Sequence, residues 1–357
     1  MKTLPVTILT GFLGSGKTTL LKRILGEQHG MKIAVIENEF GEENIDNDIL
    51  VQESNEQIVQ MSNGCICCTI RGDLVNALTD LAERRQRGDI DFDRVVIETT
   101  GLANPGPVAQ TFFMDEAVSA HYLLDAIITL VDAKHGNQQL DQQEVMQRQV
   151  AFADRIFLTK ADLVDAAALA ALKARLVRMN PRAPQVVVDF GQADIKEIFD
   201  LRGFNLNTKL EIDPDFLKEE EHAHDHGHDH AHEHDHSHCD HDHGHCDHDH
   251  GHHHHAHHDD KIKSFVFRSE RAFDARKLED FLGGVLQIYG EQLLRYKGVL
   301  YMKGVDRRVV FQGVHQMMGS DLATRWMPSD QKGSKMVFIG ADLPRDLILD
   351  GLERCLV

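Results

Sequence analysis

Short apolar runs alternate with longer amphipathic stretches through the first two hundred residues of the chain. The apolar runs are rich in valine and isoleucine, which is typical of strands buried on both faces of a sheet. They are Val6–Thr10, Lys32–Glu37, Arg94–Glu98, Ala126–Val131, Arg155–Thr159 and Gln185–Asp189. The amphipathic stretches, which predict helices, include Lys17–Glu27, Asp73–Arg87, Gln139–Ala153 and Asp165–Met179. Buried strands separated by helices predict a doubly wound, mostly parallel α/β sheet.

A second pattern of strands and helices begins at Ile262 and predicts a smaller α+β domain. Its predicted strands are Ser264–Arg268, Tyr296–Lys303, Arg308–Gln312 and Lys335–Ile339, and its predicted helices are Asp274–Leu286 and Pro344–Leu356. We therefore expect a first domain at 1–205, a linker at 206–261 and a second domain at 262–357.

The predicted linker has an extreme composition. Of the 24 histidines, 20 lie in the tract His222–His258, together with Cys239, Cys246 and many aspartates but almost no apolar residue. Such a segment buries too little apolar surface to offset its ordering entropy, so we expect disorder. Imidazoles and carboxylates bind divalent metals, and about four ligands per zinc give roughly five auxiliary ions. Nickel and copper would bind as well, and an inert hydrophilic linker is the alternative.

The charge and hydropathy of the chain exclude several classes of protein. The formal net charge is −19, but 13 acidic residues lie between 219 and 260 with no Lys or Arg, which leaves −6 elsewhere. This balance argues against a nucleic-acid partner. No apolar run is long enough to span a membrane, and the apolar N-terminus reads as a first strand rather than a signal peptide. Clustered cysteines fit the reduced cytoplasm.

One loop motif matches a phosphate-binding signature completely. The residues Gly11, Phe12, Leu13, Gly14, Ser15, Gly16, Lys17 and Thr18 follow the pattern G-x-x-x-x-G-K-[ST] between a predicted strand and a predicted helix. The glycines let backbone N–H groups surround phosphates, Lys17 reaches the β and γ oxygens, and the Thr18 hydroxyl binds Mg²⁺. The sequence therefore predicts a nucleoside triphosphate site.

Two further motifs fit the same nucleotide. The strand Arg94–Glu98 ends in an acid that can hold a magnesium water, and the Gly101 N–H can sense the γ-phosphate; a plain strand end with a turn glycine is the alternative. Thr159, Lys160 and Asp162 resemble the guanine-reading N-K-x-D motif with Thr in place of Asn. An Asp carboxylate accepts two N–H groups from guanine and would be left unpaired by adenine, which favours GTP over ATP.

A cluster of thiols lies between these motifs. Cys65, Cys67 and Cys68 fall in a loop before a predicted helix, where thiolates are favoured. Three sulfurs suit a tetrahedral zinc site with a fourth ligand from elsewhere, and a redox or incidental thiol cluster is the alternative. Glu37 and Glu42, after the second predicted strand, are candidates to complete that site or to contact magnesium.

The motifs together resemble the CobW-type metallochaperone GTPases, in particular their YjiA-like branch. The resemblance is carried by GFLGSGKTT, ENEFGE, NGCICC, VVIETTGLANP and LTKADL, and near the C-terminus by LLRYKGVL, FQGVH and MVFIGADLP. It implies a P-loop GTPase fold in which the residues from Gly11 to Thr19 bind GTP. It also implies that Cys65, Cys67 and Cys68 hold zinc and that Thr159–Asp162 read the base.

The resemblance implies a slow, cytoplasmic GTPase that passes zinc to client metalloproteins. Lys17, Thr18 and Glu98 are then the catalytic candidates, with GTP, Mg²⁺ and Zn²⁺ as the bound species and a homodimer left open. The alternatives are delivery of cobalt for cobalamin synthesis, with nickel also open, and a zinc store with a vestigial GTPase. A P-loop kinase acting on a small molecule is disfavoured by the guanine motif.

Overall fold

The structure is a computed structural model that describes residues 3–37, 70–204, 211–213, 216, 218 and 260–357. Cys65, Cys67, Cys68, Glu42 and the His222–His258 tract lie outside these residues. The described part forms one sheet of six strands and one of five. None of its helices is long and apolar enough to cross a membrane.

The first sheet is parallel throughout, as the sequence predicts. Its strands are β1 (Leu4–Gly11), β2 (Ile33–Glu37), β3 (Arg94–Glu98), β4 (Tyr122–Asp132), β5 (Arg155–Thr159) and β6 (Gln185–Val188). Their order is β2-β3-β1-β4-β5-β6, so successive strands are added on one side of β1 and then on the other. In open α/β sheets ligands bind at the carboxyl ends of the strands beside such a reversal.

Helices cover both faces of this sheet. They are α1 (Lys17–Gly26), α2 (Ile70–Arg87), α3 (Pro105–Met114), α4 (Glu116–His121), α5 (Gly136–Gln142), α6 (Glu144–Phe152) and α7 (Ala166–Met179). The prediction of a single helix at Gln139–Ala153 is wrong, because the backbone of Gln143 is extended between α5 and α6. The break lets α6 bury most of its residues, whereas α5 buries only Gly136 and Leu140.

Helices α3 and α4 were not among the sequence predictions. The Asn104 side chain caps α3 by accepting a hydrogen bond from the Gly106 N–H, and Pro105 occupies the first turn. Asn before Pro at a helix start is a recognised local signal. This signal was present in the sequence. The helix that follows it is short and apolar, so it has no amphipathic pattern from which a helix could be predicted.

The second sheet is antiparallel, with the order β10-β9-β8-β11-β7. Its strands are β7 (Ile262–Ser269), β8 (Leu293–Leu300), β9 (Arg307–Val314), β10 (Met317–Arg325) and β11 (Ser334–Ala341), with helices α8 (Ala275–Tyr289) and α9 (Arg345–Arg354). The predicted strand Tyr296–Lys303 begins and ends three residues later than β8 does. Strand β10 was not predicted.

The two sheets belong to units that share apolar contacts. Val266, Leu294 and Val337 of the second sheet belong to the same buried cluster as residues of α6 and α7. At the centre of this interface Arg295, only 1% exposed, donates to the Asp154 carboxylate at 2.7 Å and to the carbonyls of Phe152 and Gly203. The interface is therefore a packed core that contains a buried ion pair.

A second ion pair joins the start of the C-terminal unit to the first domain. The Arg175 guanidinium on α7 donates to both carboxylate oxygens of Asp260, and its Nη2 also donates to Asp141 at 2.7 Å. Asp260 immediately precedes the residue that leads into β7 and is itself buried. The start of the C-terminal unit is thus tied to a fixed point on α7.

Candidate functional site

The phosphate-binding motif forms the turn between β1 and α1 at the carboxyl edge of the first sheet. Gly11 has φ of 144°, and a Cβ there would lie 2.4 Å from the Leu130 carbonyl oxygen, so a larger residue cannot fit. Gly14 and Gly16 also have positive φ, at 74° and 95°. These conformations favour glycine, and they place a loop of backbone N–H groups at the start of α1.

Lys17 lies inside this loop. Its side chain is 8% exposed, and its Nζ donates to the carbonyl of Gly11 at 2.9 Å and of Phe12 at 3.3 Å. The ammonium is therefore held at the centre of the turn by the loop itself. A cation fixed in this position is poised to neutralise phosphate oxygens.

The two residues predicted to act at magnesium are brought together from distant parts of the chain. The Thr18 hydroxyl donates to the Glu98 carboxylate at 2.9 Å, and Glu98 is 9% exposed. Glu37 is the register partner of Glu98 on the neighbouring strand β2. A hydroxyl and carboxylates are the hard oxygen ligands that magnesium prefers, so these residues fit that ion.

The loop after β3 contacts the phosphate loop directly. A Cβ at Gly101 would lie 2.6 Å from the Leu13 backbone nitrogen, which fixes a close approach of the two loops. Gln149 on α6 holds this loop by donating to the carbonyls of Gly101 and Ala103 at 3.1 and 3.0 Å. Gln149 was missed from the sequence because a glutamine within an amphipathic helix carries no local signal.

The predicted base-reading motif contacts the phosphate loop as well. The Thr159 hydroxyl donates to the Ser15 carbonyl at 2.9 Å, and Lys160 Nζ donates to the Gly14 carbonyl at 2.9 Å. Asp162 is exposed in the short 3₁₀ turn that follows β5. The carboxylate at Asp162 is therefore available to a ligand. The Lys160 ammonium instead holds the two loops together.

Asp132, at the end of β4, was also missed. Its Oδ2 accepts hydrogen bonds from Lys160 Nζ at 2.7 Å and from His135 Nδ1 at 3.0 Å. Burial alone would raise the pKa of the Asp132 carboxyl, but the hydrogen bonds from Lys160 and His135 outweigh burial and keep the pKa below its ordinary value. An acid at the end of a buried strand was a usable signal, as it was for Glu98.

The predicted thiol site cannot be placed in this arrangement, because Cys65, Cys67 and Cys68 are outside the described residues. Among the residues that the structure does describe, no group of three or more His, Cys, Asp or Glu side chains could hold a metal ion. The described cysteine, Cys355, is buried in the C-terminal unit.

A glycine-rich turn before a helix, beside a strand-end acid and the loop predicted to read a base, is the arrangement of a P-loop nucleotide-binding protein. Residues 5–187 match the nucleotide-binding domain of the CobW/HypB/UreG family, and residues 262–356 match the C-terminal domain of the cobalamin synthesis protein CobW. The chain belongs to the CobW/HypB/UreG family.

Several relatives are similar over almost their whole length. The zinc chaperone YjiA of Escherichia coli K12 is 40% identical across 98% of this chain and 97% of its own. The zinc chaperone CobW of Pseudomonas aeruginosa is 34% identical across 100% and 93%. The solved structure of Zn(II)-bound YjiA GTPase from E. coli aligns across 100% of both chains, with a TM-score of 0.75 and 34% identity.

Proposed function

We propose that the chain is a GTP-hydrolysing zinc metallochaperone that transfers zinc to client metalloproteins in the cytoplasm. The observation that carries the proposal is the contact between Lys160 and the Gly14 carbonyl, since it joins a guanine-type motif to a phosphate loop at one edge of the sheet. The names of relatives that match nearly the whole chain, zinc chaperone YjiA and zinc chaperone CobW, support the role.

The nucleotide is held by residues of three loops. The loop amides and Lys17 bind the phosphates, while the Asp162 carboxylate accepts the ring N–H and the exocyclic amine of guanine. Thr18 and Glu98, which share a hydrogen bond, would hold Mg²⁺, and this ion would supply positive charge to the phosphate oxygens. Gly101, kept in place by Gln149, offers its N–H to the γ-phosphate.

Zinc is the cargo of this reaction and binds Cys65, Cys67 and Cys68, with Glu37 or Glu42 as the fourth ligand. Glu37 supports a link between the two sites, because it ends β2 beside Glu98. Loss of the γ-phosphate that moves Glu98 or Gly101 then also changes the positions of the zinc ligands. A coupling of about 1–3 kcal/mol changes zinc affinity about 5- to 150-fold, and hydrolysis makes transfer directional.

We expect zinc affinity to differ between the forms loaded with a non-hydrolysable GTP analogue, with GDP and with no nucleotide. Competition with a chromogenic zinc chelator measures the three dissociation constants. Cys67→Ser should abolish tight zinc binding and leave GTP binding intact, because the thiolate is a zinc ligand only. Cys355→Ser is the matched control, since Cys355 lies in the C-terminal unit and donates to the Gly351 carbonyl. Equal zinc affinities in all three forms would overturn the coupling.

A zinc store is the second candidate function, favoured by the 20 histidines between 222 and 258. Deletion of residues 219–259 separates the two functions. The deletion retains Asp260 because Arg175 depends on it. If the protein is a chaperone, the deletion variant binds fewer zinc ions and keeps one tight site. If it is a store, the variant loses its zinc-storing function altogether. Cobalt or nickel in place of zinc is tested by the same competition with those ions.

A further inference from the structure

A two-residue turn after β6 combines two unfavourable features, both at Phe190. Asp189 and Gln192 form an isolated antiparallel bridge closed by a hydrogen bond from the Gln192 N–H to the Asp189 carbonyl at 2.9 Å. Between them Phe190 and Gly191 both have positive φ, at 48° and 76°. Turns of this kind favour Asn, Asp or Gly at both central positions, and a bulky residue at positive φ is an outlier. The Phe190 side chain is also 81% exposed.

The positive φ of Phe190 and the exposure of its ring both destabilise the fold, and the exposed ring gains little packing energy in return. Where a structure retains such an outlier, function is the reasonable hypothesis. The position of the turn indicates which function. A Cβ at Gly191 would lie 3.1 Å from the Thr19 carbonyl oxygen and 3.2 Å from the Leu20 Cα, so the turn rests on the first turn of α1.

The same turn is next to the base-reading motif. β6 pairs in parallel with β5, with Val188 opposite Thr159, so residues 189–192 and residues 160–162 emerge side by side from the carboxyl edge. Thr159 in turn donates to the Ser15 carbonyl of the phosphate loop. A nucleotide with its phosphates at the loop and its base at Asp162 therefore extends toward Phe190.

We propose that Phe190 is a base-stacking residue: its exposed ring lies against a face of the guanine whose edge Asp162 reads. The inference rests on the proposed GTP site and adds a contact to it. Stacking of an aromatic side chain on a base is tolerant of base identity, and its loss on alanine substitution weakens binding about 5- to 150-fold.

The test is calorimetric titration of GDP and inosine diphosphate into the full-length protein. Phe190→Ala is expected to weaken both nucleotides by a similar factor, because stacking does not involve the exocyclic amine that inosine lacks. Asp162→Ala is expected to weaken GDP more than inosine diphosphate, because Asp162 accepts from that amine. Ile288→Ala is the matched control: Ile288 is 72% exposed in the C-terminal unit and should change neither affinity.

Two more variants separate stacking from a structural role. Phe190→Asn suits the positive φ, so it should keep or raise the melting temperature of the nucleotide-free protein while weakening GDP as Phe190→Ala does. Phe190→Trp should retain affinity and lose fluorescence on GDP binding, read against the wild-type signal of Trp326.

The outcomes distinguish this inference from the function on which it rests. Unchanged GDP affinity in both Phe190→Ala and Phe190→Asn, with a clear effect of Asp162→Ala, overturns the stacking role alone. If the wild-type protein binds neither GDP nor GTP, the proposed function itself fails.

Discussion

Lys17→Met is expected to reduce the kcat for GTP hydrolysis by about 100- to 1,000-fold, the loss typical when one preorganised charge donor is removed. Lys17 Nζ is fixed by the carbonyls of Gly11 and Phe12, so the positive charge is in place before the reaction and needs no reorganisation. Methionine keeps the length of the side chain and removes the charge. Phosphate release at saturating GTP measures the effect.

Lys32→Met is the matched control for this experiment. Lys32 immediately precedes β2, at the amino edge of the parallel sheet, and its exposed ammonium pairs with Asp91. Removing a charge at that edge leaves kcat unchanged. A kcat for Lys17→Met within threefold of wild type would show that other groups stabilise the transferring phosphoryl group.

Asp154→Ala is expected to destabilise the protein by about 3–5 kcal/mol, the cost of removing one partner of a buried ion pair. Asp154 accepts hydrogen bonds from Arg295 at 2.7 Å and from the Ile127 N–H at 2.9 Å, and Arg182 lies at 3.4 Å. Both guanidinium groups are buried. Without Asp154 they repel each other across the interface of the two units. Urea unfolding followed by circular dichroism measures the loss.

The charges around Asp154 support this direction. Burial lowers the pKa of Arg295 to about 9 against the attraction of Asp154. Burial, together with Arg182 and Arg295, lowers the pKa of Lys297 to about 7. Burial thus disfavours the charged forms of Arg295 and Lys297, and the attraction of Asp154 offsets part of that cost.

Two variants check the Asp154 prediction. Asp306→Ala removes an acid from an exposed pair with Arg325 and should cost less than about 1 kcal/mol. The double variant Asp154→Ala/Arg295→Met should recover part of the loss, because it also removes an uncompensated buried cation. If Asp154→Ala costs no more than Asp306→Ala, the ion pair does not stabilise the interface.

The fold was predictable where the apolar pattern is continuous. The predictions for Arg94–Glu98 and Arg155–Thr159 coincide with β3 and β5, whose residues are almost all buried. β4 begins at Tyr122, four residues before its predicted start at Ala126. The prediction started late because Asp125, which is buried in the structure, interrupts the apolar run of the sequence.

Strand β10 shows the opposite limit. Among the described residues it lies at the edge of the second sheet, pairs with β9 alone and exposes most of its side chains. Edge strands of this kind need neither apolar alternation nor high β propensity. The sequence of such a strand therefore carries little information about its structure, and only its pairing with β9 defines it.

The candidate site divides in the same way. Lys17, Thr18 and Gly101 were predicted because each belongs to a contiguous motif whose chemistry depends on local spacing. Asp132 was missed although its position at the end of a buried strand was a usable signal. Gln149 was missed because it reaches the site from another element and acts by holding a loop. Contacts between distant segments are set by packing, which one sequence does not display.

The two fixed ends of the histidine-rich region have a consequence for how its length can vary. Before it, the Phe216 side chain is buried in the apolar cluster that both units share; after it, Asp260 binds Arg175. The cost of joining two fixed ends grows by only about 0.6 kcal/mol for each doubling of the length of the chain between them. A change in the number of histidines between 219 and 259 is therefore expected to leave the stability of both folded units almost unchanged.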